Sequence, residues 1–271
     1  MMGGWRQEST VIEMKMTGRA AIVTGGSKGI GLAIATNYVR AGAGVAIVAR
    51  TRSELDRARD EIAKAGTGKV VAIAADIRTA PDCSRAFGEA EAALGQIDVL
   101  VNNAGVSTSG AFEAITDEVW QQDFDLKLFA AIRFARLALP GMKARRWGRI
   151  INVLNVGAKA PKAGSAPTTV TRAAGLALTK GLANEGAPHN VLVNSLHVGW
   201  IESDQWVRRH AAEGKGRSYD AYRAEIGSRI PLGRMGTAEE FANIATFLAS
   251  DAGSYVTGTA INVDGGVSPV T

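Results

Sequence analysis

The fold follows from Thr24-Gly25-Gly26-Ser27-Lys28-Gly29-Ile30-Gly31, a glycine-rich segment of the 271-residue chain. It comes directly after the β-branched run Ala20–Thr24 and opens a stretch of helical spacing, Ile30–Ala41. In such a turn Gly25 allows the tight bend, Gly29 lets the backbone approach a pyrophosphate, and Gly31 lets the helix pack closely on the sheet. Free N–H groups at the start of the helix then attract phosphate. The segment therefore predicts a dinucleotide-binding strand–turn–helix unit.

Strand-like and helix-like segments alternate along the rest of the chain. Further apolar runs typical of buried strands are Val45–Arg50, Val70–Asp76, Val99–Asn102, Arg149–Asn155, Val191–Leu196 and Ala260–Val263. Segments with helical spacing lie between them and include Ser53–Ala65 and Ala173–Glu185. This alternation predicts an α/β protein: one doubly wound, Rossmann-type domain with a parallel sheet of about seven strands and helices on both faces. We expect residues 18–271 to form this domain and residues 1–17 to be an N-terminal extension.

Composition excludes several classes of protein. The formal net charge is +5, 46% of the residues are hydrophobic and 21% are charged, which is ordinary for a globular domain. No apolar run approaches the roughly 20 residues that cross a bilayer, and the lone Cys83 cannot form an intrachain disulfide, so a cytoplasmic location is expected. The basic cluster Lys143–Arg149 is interpreted as a solvated helix end and not as a nucleic-acid site. The three histidines lack zinc-type spacing, so no metal site is predicted.

The end of the second predicted strand indicates which dinucleotide is preferred. Sites that prefer NAD commonly place an acidic residue there, where it binds the ribose 2′-OH. This chain has Arg50, followed by Arg52, with Lys28 in the glycine-rich turn. Arginine can hold a 2′-phosphate through two charge-assisted hydrogen bonds, whereas a carboxylate would repel it. NADP(H) is therefore favoured over NAD(H).

From about Arg19 to Gly266 the chain resembles the short-chain dehydrogenase/reductase family, classical type. Thr24–Gly31 is similar to the family's TGxxxGxG motif, Asn102-Asn103-Ala104-Gly105 to NNAG, and Asn262–Gly266 to its C-terminal strand. The resemblance implies redox chemistry on a carbonyl or alcohol, a homotetramer, and a substrate lid at about residues 204–229. Together with the glycine-rich turn, it implies a cofactor site formed by Gly25, Ser27, Lys28, Gly29, Ile30, Gly31, Arg50, Asp76, Ile77, Asn103, Ala104, Gly105, Arg172, Gly199, Ile201 and Ser203.

The family's catalytic positions hold different residues here. Where the resemblance places asparagine, serine, tyrosine and lysine, this chain has Lys127, Asn155, Thr168 and Arg172, at unchanged spacing. An aliphatic hydroxyl is a far weaker acid than tyrosine, whose pKa is about 10, so Thr168 cannot inherit the role of proton donor. Other candidates for that role are Lys127, His197, and the lid tyrosines Tyr219 and Tyr222.

Three functions are compatible with this pattern. The first, which we favour because residues 204–229 form a full-length lid, is an oxidoreductase with an atypical proton donor. The second is a catalytically silent cofactor-binding homologue with a regulatory or structural role. The third is non-redox chemistry on the same scaffold, as in halohydrin dehalogenases. The substrate is expected to be a small molecule. Several cations near the predicted pocket favour an anionic or acyl-linked one: Lys127, Lys159, Lys162, Arg172 and His197.

Overall fold

A computed structural model describes residues 13–214 and 216–271. The predicted extension, residues 1–17, lies mostly outside this range, but its last residues belong to the packed domain. The Met16 side chain is buried in the main core, and its backbone N–H donates to the Ala41 carbonyl at 2.8 Å. The packed domain therefore begins before residue 18.

The sheet confirms the predicted fold class. Its strands are β1 Ala20–Thr24, β2 Gly44–Ala49, β3 Val70–Ala74, β4 Val99–Asn102, β5 Gly148–Asn155, β6 Val191–Val198 and β7 Ala260–Val263. All neighbours pair in parallel, in the order β3-β2-β1-β4-β5-β6-β7. From β1 the strands are added first on one side of the sheet, as β2 and β3, and then on the other side, from β4 to β7. In open α/β sheets, ligands bind in the crevice at this switch point between β1 and β4.

Helices cover both faces of the sheet. They are α1 Gly29–Arg40, α2 Arg52–Ile62, α3 Ala80–Leu94, α4 Asp117–Phe124, α5 Ala130–Arg145, α6 Thr168–Gly186, α7 Asp204–Glu213, α8 Tyr219–Gly227 and α9 Ala238–Ala249. One core joins α1, α2 and α9 to the sheet, and a second core joins α3, α5 and α6 to its other face. Alternate strand residues enter opposite cores, as Val23 and Ile22 do, because successive side chains of a strand point to opposite faces.

Two helical features position the functional site. A π-helical turn, Asp125–Phe129, joins α4 to α5. Helix α6 begins at Thr168, five residues before the predicted start at Ala173. In the described part of the chain, none of the helices combines the length and the hydropathy that crossing a bilayer requires.

The basic cluster at the end of α5 differs from its predicted character at one residue. Arg149 is buried at the start of β5, where the neighbouring strands of the sheet cover it. Its guanidinium and that of Arg19 both lie over the Trp147 ring, 4.3 and 3.6 Å from its centroid. Arg149 is therefore part of the packed interior and not of a solvated helix end.

Candidate functional site

A cleft of about 540 Å³ opens at the carboxyl ends of the strands. A cavity of this size can enclose most of a small ligand. Since β2 and β3 lie on one side of the switch point and β5 and β6 on the other, the cleft extends from Arg50 and Asp76 to Asn155 and Thr168. We call the first side the adenosine end and the second the reaction end. The structure brings every residue predicted for the cofactor site to the lining of this cleft.

The glycine-rich turn is held in place by the segment after β4. The Asn103 amide nitrogen Nδ2 donates to the Thr24 carbonyl at 2.9 Å, and the Asn103 N–H donates to Thr24 Oγ1 at 3.0 Å. A Cβ atom on Gly31 would lie 2.2 Å from the Gly25 carbonyl oxygen, so only glycine fits where α1 starts. The turn and the first residues of the helix therefore form a fixed floor for the cleft.

Among the described residues, each carboxylate at the adenosine end has a cationic partner other than Arg50. The described carboxylates that line the cleft are Glu54 and Asp76. Glu54 accepts from Lys28 Nζ at 3.3 Å. Asp76 accepts from the Arg78 guanidinium, which holds the pKa of this carboxyl below its usual range. Both carboxylates thus have a cationic hydrogen-bond partner, and the charge of Arg50 makes a smaller contribution to the lowered pKa of Asp76.

The Thr168 hydroxyl at the reaction end is engaged in three hydrogen bonds. It accepts from Lys127 Nζ at 2.7 Å and from the Thr108 N–H at 2.9 Å, and it donates to the Thr108 carbonyl at 2.6 Å. A hydroxyl has one donor and two acceptor positions, so its capacity is filled. Thr168 thereby fastens the segment after β4 to the start of α6.

Lys127 is held in this place by a buried carboxylate. Asp123 lies one helical turn earlier and accepts from Lys127 Nζ and, at 2.7 Å, from Thr171 Oγ1. The side chains of Asp123 and Lys127 are each 1% exposed. Burial, with a smaller contribution from the nearby Arg172 charge, lowers the pKa of Lys127 to about 8, although Asp123 opposes this shift. Lys127 therefore changes its charge close to neutral pH.

Arg172 and Asn155 present polar groups to the cleft. Arg172 donates to the Val153 carbonyl at 2.8 Å, and its guanidinium lies so close to Gly105 that a Cβ there would be 2.3 Å from it. Burial lowers the pKa of Arg172 to about 10, which leaves it charged at neutral pH. Asn155 accepts from the Ala158 N–H, while its Nδ2 group makes no hydrogen bond to the described residues.

His197 and the predicted tyrosines do not reach the cleft. The His197 ring is fully buried between Ser195 Oγ and the Asn155 carbonyl, and burial lowers its pKa to about 4, so it is neutral at pH 7. Tyr222 is buried in a separate apolar cluster, and Tyr219 packs against that cluster.

The cations that favoured an anionic substrate are not assembled around the cleft. Lys159 donates to the Ala260 carbonyl at 2.7 Å because the turn after β5 faces β7. Lys162 is exposed on a loop and, like Lys127 and His197, is not part of the lining. Of that predicted group, only Arg172 lines the cleft.

Several residues of the site were not predicted. Asp123 is one of them, although it lies four residues before the predicted Lys127, a spacing typical of ion pairs that could have indicated this pairing. On the lid, Trp206 and Arg209 lie three residues apart and line the cleft together with Trp200, which follows the end of β6. No motif in the sequence indicates that these three side chains meet.

Comparisons with known proteins indicate the family of the chain. A family profile described as enoyl-(acyl carrier protein) reductase matches residues 25–268. The 3-oxoacyl-(acyl-carrier-protein) reductase of Aquifex aeolicus is 32% identical over 256 residues, covering 94% of this chain and all of that protein.

Solved structures of reductases are similar to this chain over nearly its whole length. L-sorbose reductase from Gluconobacter frateurii, complexed with NADPH and L-sorbose, is 32% identical with a TM-score of 0.92, covering 96% of this chain and 100% of that one. A 3-oxoacyl (acyl-carrier-protein) reductase from Agrobacterium tumefaciens with NADP bound is 30% identical with a TM-score of 0.87, covering 97% and 100%. The fold, the glycine-rich floor of the cleft and these likenesses establish that the chain belongs to the short-chain dehydrogenase/reductase family of oxidoreductases.

Proposed function

We propose that the protein is an NADP(H)-dependent oxidoreductase that interconverts a carbonyl and an alcohol, with Lys127 as its source of protons. The observation that carries this proposal is the buried series Asp123–Lys127–Thr168, which ends at a hydroxyl in the lining of the cleft. It takes the place of the tyrosine and lysine that the family resemblance implies.

The residues of the cleft fit NADP(H). The N–H groups at the start of α1 and the glycine-rich turn would hold its pyrophosphate, and Arg50 would hold its 2′-phosphate. Each described carboxylate of the lining has another cation as its hydrogen-bond partner, so neither occupies the Arg50 guanidinium. Two of the similar structures contain NADPH or NADP. When bound, the cofactor supplies or accepts the hydride.

The chain's own residues move the proton. The Thr168 hydroxyl turns from the Thr108 carbonyl towards the substrate oxygen and passes its proton on as it takes another from the Lys127 ammonium, so Lys127 is the acid and Thr168 only relays the proton. A general acid works best when its pKa lies near the operating pH, and burial brings Lys127 into that range. The amide Nδ2 of Asn155 donates to the same oxygen, and the fixed charge of Arg172 stabilises negative charge that develops there.

The pH dependence of turnover tests the proton source. In the direction of carbonyl reduction Lys127 must be protonated, so kcat should fall as the pH rises through about 8. In the direction of alcohol oxidation it must be neutral, and kcat should rise over the same interval. Stopped-flow measurements of NADPH oxidation across a panel of ketones and oxo acids give these profiles.

Lys127→Met removes the ionisable group and should abolish the pH-dependent limb near 8 while lowering kcat by about 10²-fold or more. Lys162→Met is the matched control, because that lysine is exposed and outside the cleft. If the limb persists in Lys127→Met, another group donates the proton.

A catalytically silent cofactor-binding protein is the second candidate. The observation that favours it is the saturated Thr168 hydroxyl, since none of its hydrogen-bonding positions is free for a substrate. In that case the protein would bind NADPH, and neither the wild type nor any variant of Lys127 would oxidise it with any member of the panel.

We further propose that the chain assembles as the homotetramer implied by the family resemblance. The edge strand β7 is only half-buried and borders an apolar hollow lined by Leu232, Ile244, Ile261 and Val263. A second copy would cover this edge. Sedimentation velocity measures the assembly state directly.

A further inference from the structure

Arg209 differs from the other arginines that the structure describes on the lid, residues 204–229. Arg217 and Arg229 are paired with Glu225, and Arg223 is paired with Glu202. The described residues offer Arg209 neither a carboxylate nor a hydrogen-bond acceptor, yet its side chain lines the cleft. Each of the other three has a carboxylate partner, whereas the described residues give Arg209 none and it lines the cleft.

The partner that Arg209 does have is aromatic. Its guanidinium carbon lies 5.0 Å from the centroid of the Trp206 ring. Trp206 in turn packs against Trp200 in an edge-to-face arrangement, with centroids 6.0 Å apart and planes at 64°. Trp206 and Arg209 are three residues apart on α7, so both project from one side of the helix. The lid thus presents a cation and a flat apolar wall to the same cavity.

The described residues of the lining leave unpaired positive charge in the cleft. Besides Arg209, Arg172 lines it, and the described carboxylates in the lining, Glu54 and Asp76, are each paired with another cation. Asp123 is occupied by Lys127 and Thr171. Unpaired guanidinium groups in a cleft attract an anion and bind a carboxylate through two parallel hydrogen bonds.

We propose that the substrate is an aryl oxo acid, with its carboxylate on Arg209, its ring against Trp200 and Trp206, and its oxo group beside Asn155. This inference rests on the proposed function and names the substrate class for the same cleft. It differs from the anionic substrate expected from the sequence because it depends on Arg209 and the two tryptophans, and not on the lysines outside the cleft.

Binding without turnover tests it. Isothermal titration calorimetry is performed on protein saturated with NADP⁺, which cannot reduce an oxo group. The probes are benzoylformate, phenylpyruvate and 4-phenyl-2-oxobutanoate, which differ in the distance between ring and oxo group, each beside its methyl ester. We expect at least one acid to bind at least tenfold more tightly than its ester. Arg209→Gln should remove that difference, and Trp206→Ala should weaken acid and ester together.

Arg223→Gln is the matched control, because Arg223 is on the lid but paired with Glu202, and it should leave the difference intact. The inference is overturned if every acid binds no better than its ester, if no probe binds, or if Arg209→Gln leaves the preference unchanged. It is also overturned if Arg209→Gln weakens the binding of NADP⁺, since Arg209 would then bind the cofactor phosphates. Failure of the proposed function would look different: an acid would bind selectively, and NADPH would not be oxidised.

Discussion

Asp123 sets the charge of the reaction end, although it does not line the cleft. Its carboxylate offsets the Lys127 ammonium and also holds the Thr171 hydroxyl, so one side chain fixes two residues that flank the site. An ion pair from which water is excluded depends strongly on both members, because the partner left behind is a buried charge.

Asp123→Asn keeps the shape of the side chain but removes its charge. We expect the free energy of unfolding, measured by urea denaturation, to fall by about 3 kcal/mol. Without the opposing carboxylate the pKa of Lys127 should fall further. The decrease of kcat with rising pH, measured for carbonyl reduction, should therefore begin below pH 8. Asp60→Asn is the control, since Asp60 is exposed and paired with Arg59, and it should change stability by less than about 1 kcal/mol. Equal effects of the two substitutions would contradict this role of Asp123.

Arg50 is expected to decide between the two nicotinamide cofactors. Arg50→Glu places a carboxylate beside the 2′-phosphate, and the Kd for NADPH should rise at least about tenfold while that for NADH changes little. Quenching of protein fluorescence measures both constants. Arg52→Glu is the control, because Arg52 is exposed and pairs with Asp56 outside the cleft. An equal loss of affinity for both cofactors in Arg50→Glu would show that Arg50 does not bind the 2′-phosphate.

At the scale of elements, the start of α1 depends on how closely helix and turn approach each other. Gly31→Ala would place a methyl group 2.2 Å from the Gly25 carbonyl, so the helix must move away from the turn. We expect a lower melting temperature and a Kd for NADPH raised at least tenfold. Gly88→Ala in α3 is the control: nothing lies within 4 Å of its Cβ, and alanine favours a helix by up to about 1 kcal/mol. If Gly31→Ala bound NADPH normally, the floor of the cleft would be less rigid than described.

The elements differ in how well the sequence predicts them. The glycine-rich turn carries its own signature, and the strands are apolar on both faces, so the fold and many of the residues that line the cleft were predictable. The start of α6 was not, because Thr168–Thr171 is rich in β-branched residues with low helix propensity, and hydrogen bonds to Thr108 and Asp123 stabilise the helix there. Trp206 and Arg209 reach the cleft only because the lid folds over it, which local pattern does not encode.

At the scale of the whole molecule, the chain before β1 contributes to the core. Met16 is 1% exposed and packs in the cluster that joins α1, α2 and α9 to the sheet. Met16→Ala should lower the free energy of unfolding by about 2–4 kcal/mol through lost burial and the cavity left behind. Urea denaturation measures this, with Met14→Ala as the control, since Met14 is exposed. A negligible effect of Met16→Ala would contradict a contribution of the Met16 side chain to the core.

The triple engagement of the Thr168 hydroxyl has a consequence for any attempt to re-engineer this site. A tyrosine at position 168 would release the Thr108 segment and leave the Lys127 ammonium without its present hydroxyl acceptor. Asp123, Lys127 and Thr168 are joined by hydrogen bonds, so replacing one of them alone removes a partner from the others. A working redesign must therefore change these positions together.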